Sequence, residues 1–510
     1  MKKKYVLAVD QSTQGTKAIL FGKNGEPVCR TDLPHRQIIN EQGWVSHDLD
    51  EIYANTVQAV RDLIEIAKAD KGEIACMGIS NQRETSAAWS RVTGRPLAEA
   101  IVWQCSRAEE ICERIRSNVV VDSGREKDAC GGAAEIIRRK TGMHLSPYFP
   151  AAKYAWLQEN VEAVRKAKQE KTLCLGTIDT YLLFRLTKGA VYATDYSNAS
   201  RTQLFNIHTL EWDEELCSWF GIDRSMLAHV CDSSHRYGET DLEGYFDEPI
   251  PICGVIGDSQ GALFGQGCIE KGMVKSTYGT GSSVMMNAGE HAVLSDLGLV
   301  TSLAWGVDGK VTYVLEGNIN YTGAVITWLR DDMGLITSPE ETERLAEDAN
   351  PHDTSYLVPA FSGLGAPYWN PDARALIWGM SRTTGRKEIV RAALDSIAYQ
   401  IEDIVEMMKA EDDMEIRELC VDGGPTKNRY LMQFQSDILG SPVRLPRCEE
   451  SSALGAAFMA GVACGFYDRD VITGRSERKC YLPRMSGQER KEKYIGWKTA
   501  VEKVINKTEI

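Results

Sequence analysis

YVLAVD-QSTQGT-KAILF, from Tyr5 to Phe21, and MVKST-YGTGSS-VMM, from Met273 to Met286, are two versions of one hairpin set roughly 270 residues apart. In each, apolar-rich segments of strand character flank a turn rich in Gly, Ser and Thr. Glycine allows positive φ and close approach of backbone to a ligand. Amides and hydroxyls in such turns form an anion-binding concavity. One such turn in each half of the chain predicts two lobes closing on a single polyphosphate.

Working outward, the first hairpin is followed by an amphipathic helix near Glu51 to Lys68, with Ile52, Val57, Val60, Ile64 and Ala67 on one side. Strands are expected at Cys76 to Ser80, near Leu173 to Leu175, and at Ile252 to Ile256, each followed by a polar cluster. The second half restarts with its own hairpin at Met273. It continues through a long helix near Glu388 to Lys409, a strand ending at Asp422, GGPTKN opening a helix through Leu439, and a small-residue helix over Glu450 to Ala463. Strands alternating with helices give an α/β class, in which ligands sit at the carboxyl ends of strands. The hairpin is the only repeat in the sequence. Residues 122–135, DSGREKDACGGAAE, read as a surface loop or insertion.

A chain of 510 residues exceeds one compact core, so two large domains are expected, 1–265 and 266–510, with the boundary near 262–272. The net charge of −14 argues against nucleic acid as a partner, though not against ATP, which needs only a local site. Fourteen cysteines without a CxxC pair suit reduced thiols in a cytoplasmic protein. The apolar run after the N-terminal lysines stops at Asp10 and reads as a strand. No stretch approaches the ~20 apolar residues of a membrane helix, so no membrane insertion is expected.

Three turns carry phosphate-binding character. Asp10 to Lys17 offers amides, the hydroxyls of Thr13 and Thr16, and the Lys17 charge; Gly279 to Ser282, including Thr280, offers the same from the other half. Asp422-Gly423-Gly424 stands between a strand and a helix. None matches GxxxxGK[ST], which speaks against a P-loop enzyme. Asp10, at a strand end, is either a turn residue or a carboxylate holding Mg²⁺ through water. Asp258 is either the N-cap of the next helix or a general base that takes a proton from an attacking hydroxyl. Arg83 and Glu84 are either a solvated ion pair or the donor and acceptor for a hydroxyl-rich substrate. Trp103 would add an apolar wall.

The chain resembles the FGGY family of carbohydrate kinases along nearly its whole length, and within it the glycerol kinases. One family signature is YFPAAKYAWLQEN (Tyr148 to Asn160), and a second is ALIWGMSRTTGRKEIVRAALD (Ala375 to Asp395). ISNQRET, AIVWQC, TDYSNASRTQLFNIHTL, VPAFSGLGAPYW, SIAYQ and LMQFQSDILG add to it. The resemblance implies two actin-like, ribonuclease-H-like lobes with ATP in the cleft between them. It implies a catalytic base at Asp258 and a phosphate and Mg²⁺ role for Asp10. ATP contacts map to Thr13, Lys17, Gly279, Thr280, Gly323, Thr327, Gly424 and Asn428. Acceptor contacts map to Arg83, Glu84, Trp103, Tyr148 and Asp258. A homo-oligomer, dimer or tetramer, is expected.

Two positions depart from the resemblance. Glycerol kinases read GDQQ where this chain has GDSQ, with Ser259, and they carry Phe after GTGC where this chain has Ser283. Both changes remove bulk beside the acceptor, and glycerol would lose about 1–3 kcal/mol at each. The expectation is an ATP-dependent kinase acting on a terminal hydroxyl of a polyol or ketose larger than glycerol, with glycerol itself as the alternative. An actin-like ATPase or sensor is a competing class, against which Arg83, Glu84, Trp103 and Asp258 speak, since an ATPase has no use for a polyol pocket.

Overall fold

The computed structural model describes residues 2–118, 132–412, 414–446, 448–473 and 479–506. Most of the predicted loop at 122–135 lies outside the described residues. Its last residues differ from the expectation, because Ala133 opens a helix, Ala133–Thr141.

The first hairpin forms as the sequence indicates, with β1 (Tyr5–Gln11) antiparallel to β2 (Gly15–Phe21) and Asp10 opposite Lys17. The edge strand β3 (Pro27–Pro34) continues the meander. On the other side of β1 lies β4 (Ile74–Asn81), in parallel. Then come β5 (Ser234–Thr240) at the far edge and β6 (Ile250–Gly257), which is parallel to β4. The order is β5-β6-β4-β1-β2-β3. The strands β1, β4 and β6 are almost wholly buried, as expected of near-continuous apolar runs covered on both faces. One cover is α1 (Leu49–Ala67), capped by Asp48, whose side chain accepts from the amides of Asp50 and Glu51. The helix α2 (Pro150–Asn160), begun by Pro150 at its first turn, packs instead against Ala87–Ser90. The strand Leu173–Gly176 departs from the expected alternation: it pairs with Ala87–Ser90 in a separate two-stranded sheet. The polar cluster behind it is internal, with the Asp179 carboxylate accepting from Thr177 and Thr194.

After α3 (Asp258–Gly265) the plan repeats. β7 (Met273–Tyr278) pairs antiparallel with β8 (Ser282–Gly289), and β9 (Val300–Val307) with β10 (Lys310–Ile319), which also flanks β8. β11 (Glu418–Asp422) runs parallel to β7, β12 (Val443–Arg444) parallel to β11, and β13 (Cys480–Tyr481) antiparallel at the edge. Read from the opposite edge, the order β9-β10-β8-β7-β11-β12-β13 repeats the positions and directions of the first sheet's strands, with β9 added, although the edge strand β13 follows β12 in the chain where β5 precedes β6. The repeat therefore extends far beyond the hairpins. The registers correspond too. Asp10 stands opposite Lys17 and beside Ser80; Thr277 stands opposite Ser283 and beside Asp422. The carboxylate has moved from the central strand of one lobe to its parallel neighbour in the other.

The second lobe's helices include α4 (Gly323–Asp331), α5 (Arg386–Asp412), α6 (Arg429–Leu439) and α7 (Ser451–Ala463). The sequence places α7 in the second half, yet it returns to pack on β1, β4 and β6 of the first sheet and crosses α3. The crossing is made by small residues. A Cβ on Gly455 would lie 1.9 Å from the Gly261 carbonyl oxygen, and one on Gly265 would lie 2.2 Å from that of Ser451. Among the described residues, no helix is long and apolar enough to cross a membrane.

Backbone cannot retreat from a new side chain at this crossing, so Gly455→Val is expected to destabilise the protein by about 3 kcal/mol or more. Urea denaturation checks this; a loss below about 1 kcal/mol would show that the helices part freely.

Candidate active site

A cleft of about 700 Å³ lies between the two sheets, and most of the predicted site residues face it. Asp10, Thr13 and Lys17 come from the first hairpin, and Gly279 and Ser283 from the second. Arg83, Glu84, Trp103 and Tyr148 form one end, with Asp258 and Ser259 at the start of α3. A second cavity of about 800 Å³ is lined by Gly323, Thr327, Gly424 and Asn428. Thr280 lines neither. Its carbonyl accepts from the amides of Thr322 and Ala324, which seats the hairpin on α4. Gly323 is needed there, since a Cβ would lie 2.7 Å from the Gly279 oxygen. Gly423 adopts φ +97°, with its missing Cβ site 2.0 Å from the Tyr278 oxygen, so the chain turns tightly against the hairpin.

Glu84 and Arg83 are buried and are not primarily partners of each other. Arg83 donates twice to Glu316, at 3.0 Å each, and its Nε lies 3.4 Å from Asp258 Oδ1. Arg201 donates to Glu84 at 2.5 Å and to Glu316 at 3.0 Å. Burial pushes the Glu316 carboxyl up, but Arg201 and Arg83 together outweigh it and hold the group well below the usual carboxylate range. Glu84 takes φ +60°, a left-handed conformation that non-glycine residues seldom adopt.

Lys153, absent from the sequence-based site, is fully buried in α2. Its ammonium donates to the carbonyls of Glu84, Trp103 and Tyr148, at 3.4, 3.1 and 2.5 Å. One cation thus ties together three acceptor-side segments, while burial lowers it to about 7. Trp103 Nε1 donates to Thr13 Oγ1 at 3.0 Å, joining this end of the cleft to the first hairpin turn. The Trp103 and Tyr148 rings lie 5.5 Å apart.

Asp258 is not the N-cap of α3. Gly257 holds that place, and Asp258 Oδ1 accepts from the Ser259 amide at 2.7 Å. The side chain is 36% exposed, but only to the cleft; enclosure raises its pKa and Arg83 opposes the rise. Lys17 is engaged, its ammonium 2.8 Å from Glu450 Oε2. Glu450 also pairs with Arg30. Lys275, likewise missed, is a buried cleft residue that donates to Thr277 Oγ1 at 3.0 Å. Burial lowers its pKa, against the pull of Asp422. Asn318 stands opposite Ser283 on the neighbouring strand, so beside the two serines the cleft wall carries an amide. Ser283 Oγ is buried without a hydrogen-bond partner among the described residues.

Two repeated lobes, a Gly/Ser/Thr turn from each and a buried charged cluster between them are the architecture of an actin-like, ribonuclease-H-like phosphotransferase. Residues 5–265 match the FGGY family of carbohydrate kinases, N-terminal domain, and residues 274–464 match its C-terminal domain. The chain belongs to the FGGY family of carbohydrate kinases. It is an ATP-binding kinase with an alcohol group as acceptor. It is 45% identical to glycerol kinase 2 of Thermotoga maritima over 98% of this chain and 99% of the relative. It is 43% identical to a glycerol kinase of a Geobacillus species over 98% of each. The structure of Plasmodium falciparum glycerol kinase with ADP superposes with a TM-score of 0.91 at 35% identity, covering 99% of both chains. A xylulose kinase of Lactobacillus acidophilus shares the fold, with a TM-score of 0.84 at 23% identity over 98% of this chain and 97% of that one.

Burial raises Asp10 from 3.8 to about 6, against the attraction of Lys17. A carboxyl raised on folding favours the native state below its unfolded pKa, and that advantage is lost as pH climbs through the folded value. The buried charge therefore costs about 3 kcal/mol at neutral pH. Asp10→Asn is expected to stabilise the ligand-free protein by about 1–3 kcal/mol at neutral pH, with the gain shrinking between about pH 6 and 4. Denaturation across that range measures it; an equal gain at all pH values would exclude the titration of Asp10.

Proposed function

We propose that the chain phosphorylates glycerol, transferring the γ-phosphoryl group of ATP to a terminal hydroxyl, with Asp258 as general base. The observation that carries this reading is the enclosed set Arg83, Glu84 and Asp258 facing the Gly279–Ser283 turn across one cleft. Arg83 and Glu84 would donate to and accept from acceptor hydroxyls, while Trp103 and Tyr148 cover its carbons. Asp258 would take the hydroxyl proton as that oxygen attacks the γ-phosphorus and the bond to ADP breaks. Burial raises its pKa, which makes it a stronger base than an exposed carboxylate. Gly323, Thr327, Gly424 and Asn428 would enclose the nucleoside, leaving the triphosphate to run between the two turns.

Asp10 fits a role towards Mg²⁺. It is a carboxylate in the cleft whose buried Oδ1 has no hydrogen-bond partner among the described residues. Among the described residues no group of three His, Cys, Asp or Glu side chains is arranged to hold a metal ion, so phosphate and water would complete the coordination. The ion would neutralise charge on the transferring group. The halves 1–265 and 266–510 would act as acceptor and nucleotide lobes, with α7 joining them.

The similarity to glycerol kinases supports glycerol over the larger acceptor suggested by Ser259 and Ser283. Asn318 and the unpartnered Ser283 hydroxyl favour a longer polyol as the second reading. An ADP-release assay with Mg·ATP against glycerol, tetritols, pentitols and pentuloses decides between them. Glycerol is expected to give the highest kcat/KM; a pentitol or pentulose exceeding it by about tenfold would reverse the choice. Asp258→Asn is expected to lower kcat by at least about a hundredfold while ADP binding by calorimetry stays within a factor of about three. Near-normal turnover in that variant would remove Asp258 as the base.

A further inference from the structure

Three thiols meet where α7 crosses the first sheet, remote from the cleft. Cys76 on β4 and Cys253 on β6 are almost completely buried, and Cys76 lies within hydrogen-bonding reach of Cys253. Cys464, the residue that ends α7, is exposed. Its Sγ shares a hydrogen bond with Cys76 Sγ at 3.1 Å, although the two residues are 388 positions apart in sequence. Closing that separation to a disulfide of about 2.05 Å requires a shift of only about 1 Å. The terminal residue of a helix, followed by Gly465 at φ +70°, can supply it.

We propose that Cys464 and Cys76 form an oxidation site for hydroperoxides, with Cys464 as the reacting thiol and Cys76 as the resolving one. Cys464 reaches solvent, and its hydrogen bond with Cys76 lowers its pKa, which favours the thiolate there over the buried Cys76. The Cys464 thiolate attacks one peroxide oxygen, the O–O bond breaks, and the leaving oxygen departs as water or an alcohol after taking up a proton. Cys464 is then a sulfenic acid. The Cys76 sulfur attacks the Cys464 sulfur, the S–O bond breaks, and the Cys76 proton leaves with that oxygen as a second water. Two thiols have lost two electrons, and the hydroperoxide has gained them.

The bond would staple the returning helix to the lobe it visits. Ser451 and Ser452, at the other end of this 13-residue helix, line the cleft. At 1.5 Å per residue the new bond is about 20 Å from them, so it fixes the helix without entering the site.

The test treats the full chain with hydrogen peroxide near neutral pH, blocks remaining thiols with iodoacetamide, and maps peptides by mass spectrometry. The expected result is a Cys76–Cys464 cross-linked peptide, lighter by two hydrogen atoms and lost on reduction with dithiothreitol. Cys464→Ser, an exposed position, should abolish it. Cys76→Ala should leave a Cys464 sulfenic acid that dimedone traps. Full alkylation of both cysteines after peroxide would overturn the proposal. So would a cross-link that persists in Cys464→Ser by joining Cys76 to Cys253.

Discussion

Arg83 and Arg201 both bond to Glu316, and Arg201 also holds Glu84, so four charges from two lobes are buried as one lattice. Burying any one of them alone would be strongly unfavourable, and only the full set offsets the lost hydration. Glu316 belongs to the second sheet, the arginines and Glu84 to the first half of the chain. The lobes therefore cannot take another register without stranding a charge. Asp258 draws on the same lattice, since Arg83 is the cation that moderates its pKa. A single arrangement thus sets both the lobe geometry and the chemistry of the proposed base.

Around the lattice, two supports fix the site from opposite sides. On the acceptor side, the Lys153 ammonium gathers three backbone carbonyls and holds Glu84 in its left-handed conformation. Towards the phosphates, α3 and α7 cross at glycine-to-glycine distance, so that Asp258 and Ser451, each at the start of its helix, open onto one cleft. Asp10 carries a desolvation cost that a ligand-free protein would be better without. Such a cost at a cleft carboxylate is what a site prepared for a cation and a polyphosphate entails.

Much of this was legible from local pattern. Hairpins, buried strands and α1 each carry their signal within a few residues, because alternating or continuous apolar runs bury a face whatever lies far away. The candidate site was legible where a polar cluster follows a buried strand, as at Arg83, Glu84 and Asp258. Glu316, Arg201 and Lys153 were not, because each is a lone charge in a segment that otherwise reads as core. Apart from the Tyr148 carbonyl near Lys153, their partners lie 50 to 233 residues away. The duplication beyond the hairpins was hidden for a related reason. Corresponding strands need to share only burial and register, and neither leaves a repeated sequence.

The α/β class, the paired glycine-rich turns and, through its signatures, the kinase family are written in the order of residues. These depend on short-range periodicity and on the residue types that turns require. Long-range packing places α7 against the opposite lobe, makes Asp258 follow rather than form the cap of α3, and holds Lys17 to Glu450. It also brought Ser283 face to face with Asn318 in the cleft wall. Each of these is a contact between distant segments, fixed by close packing and by the need to satisfy buried charge.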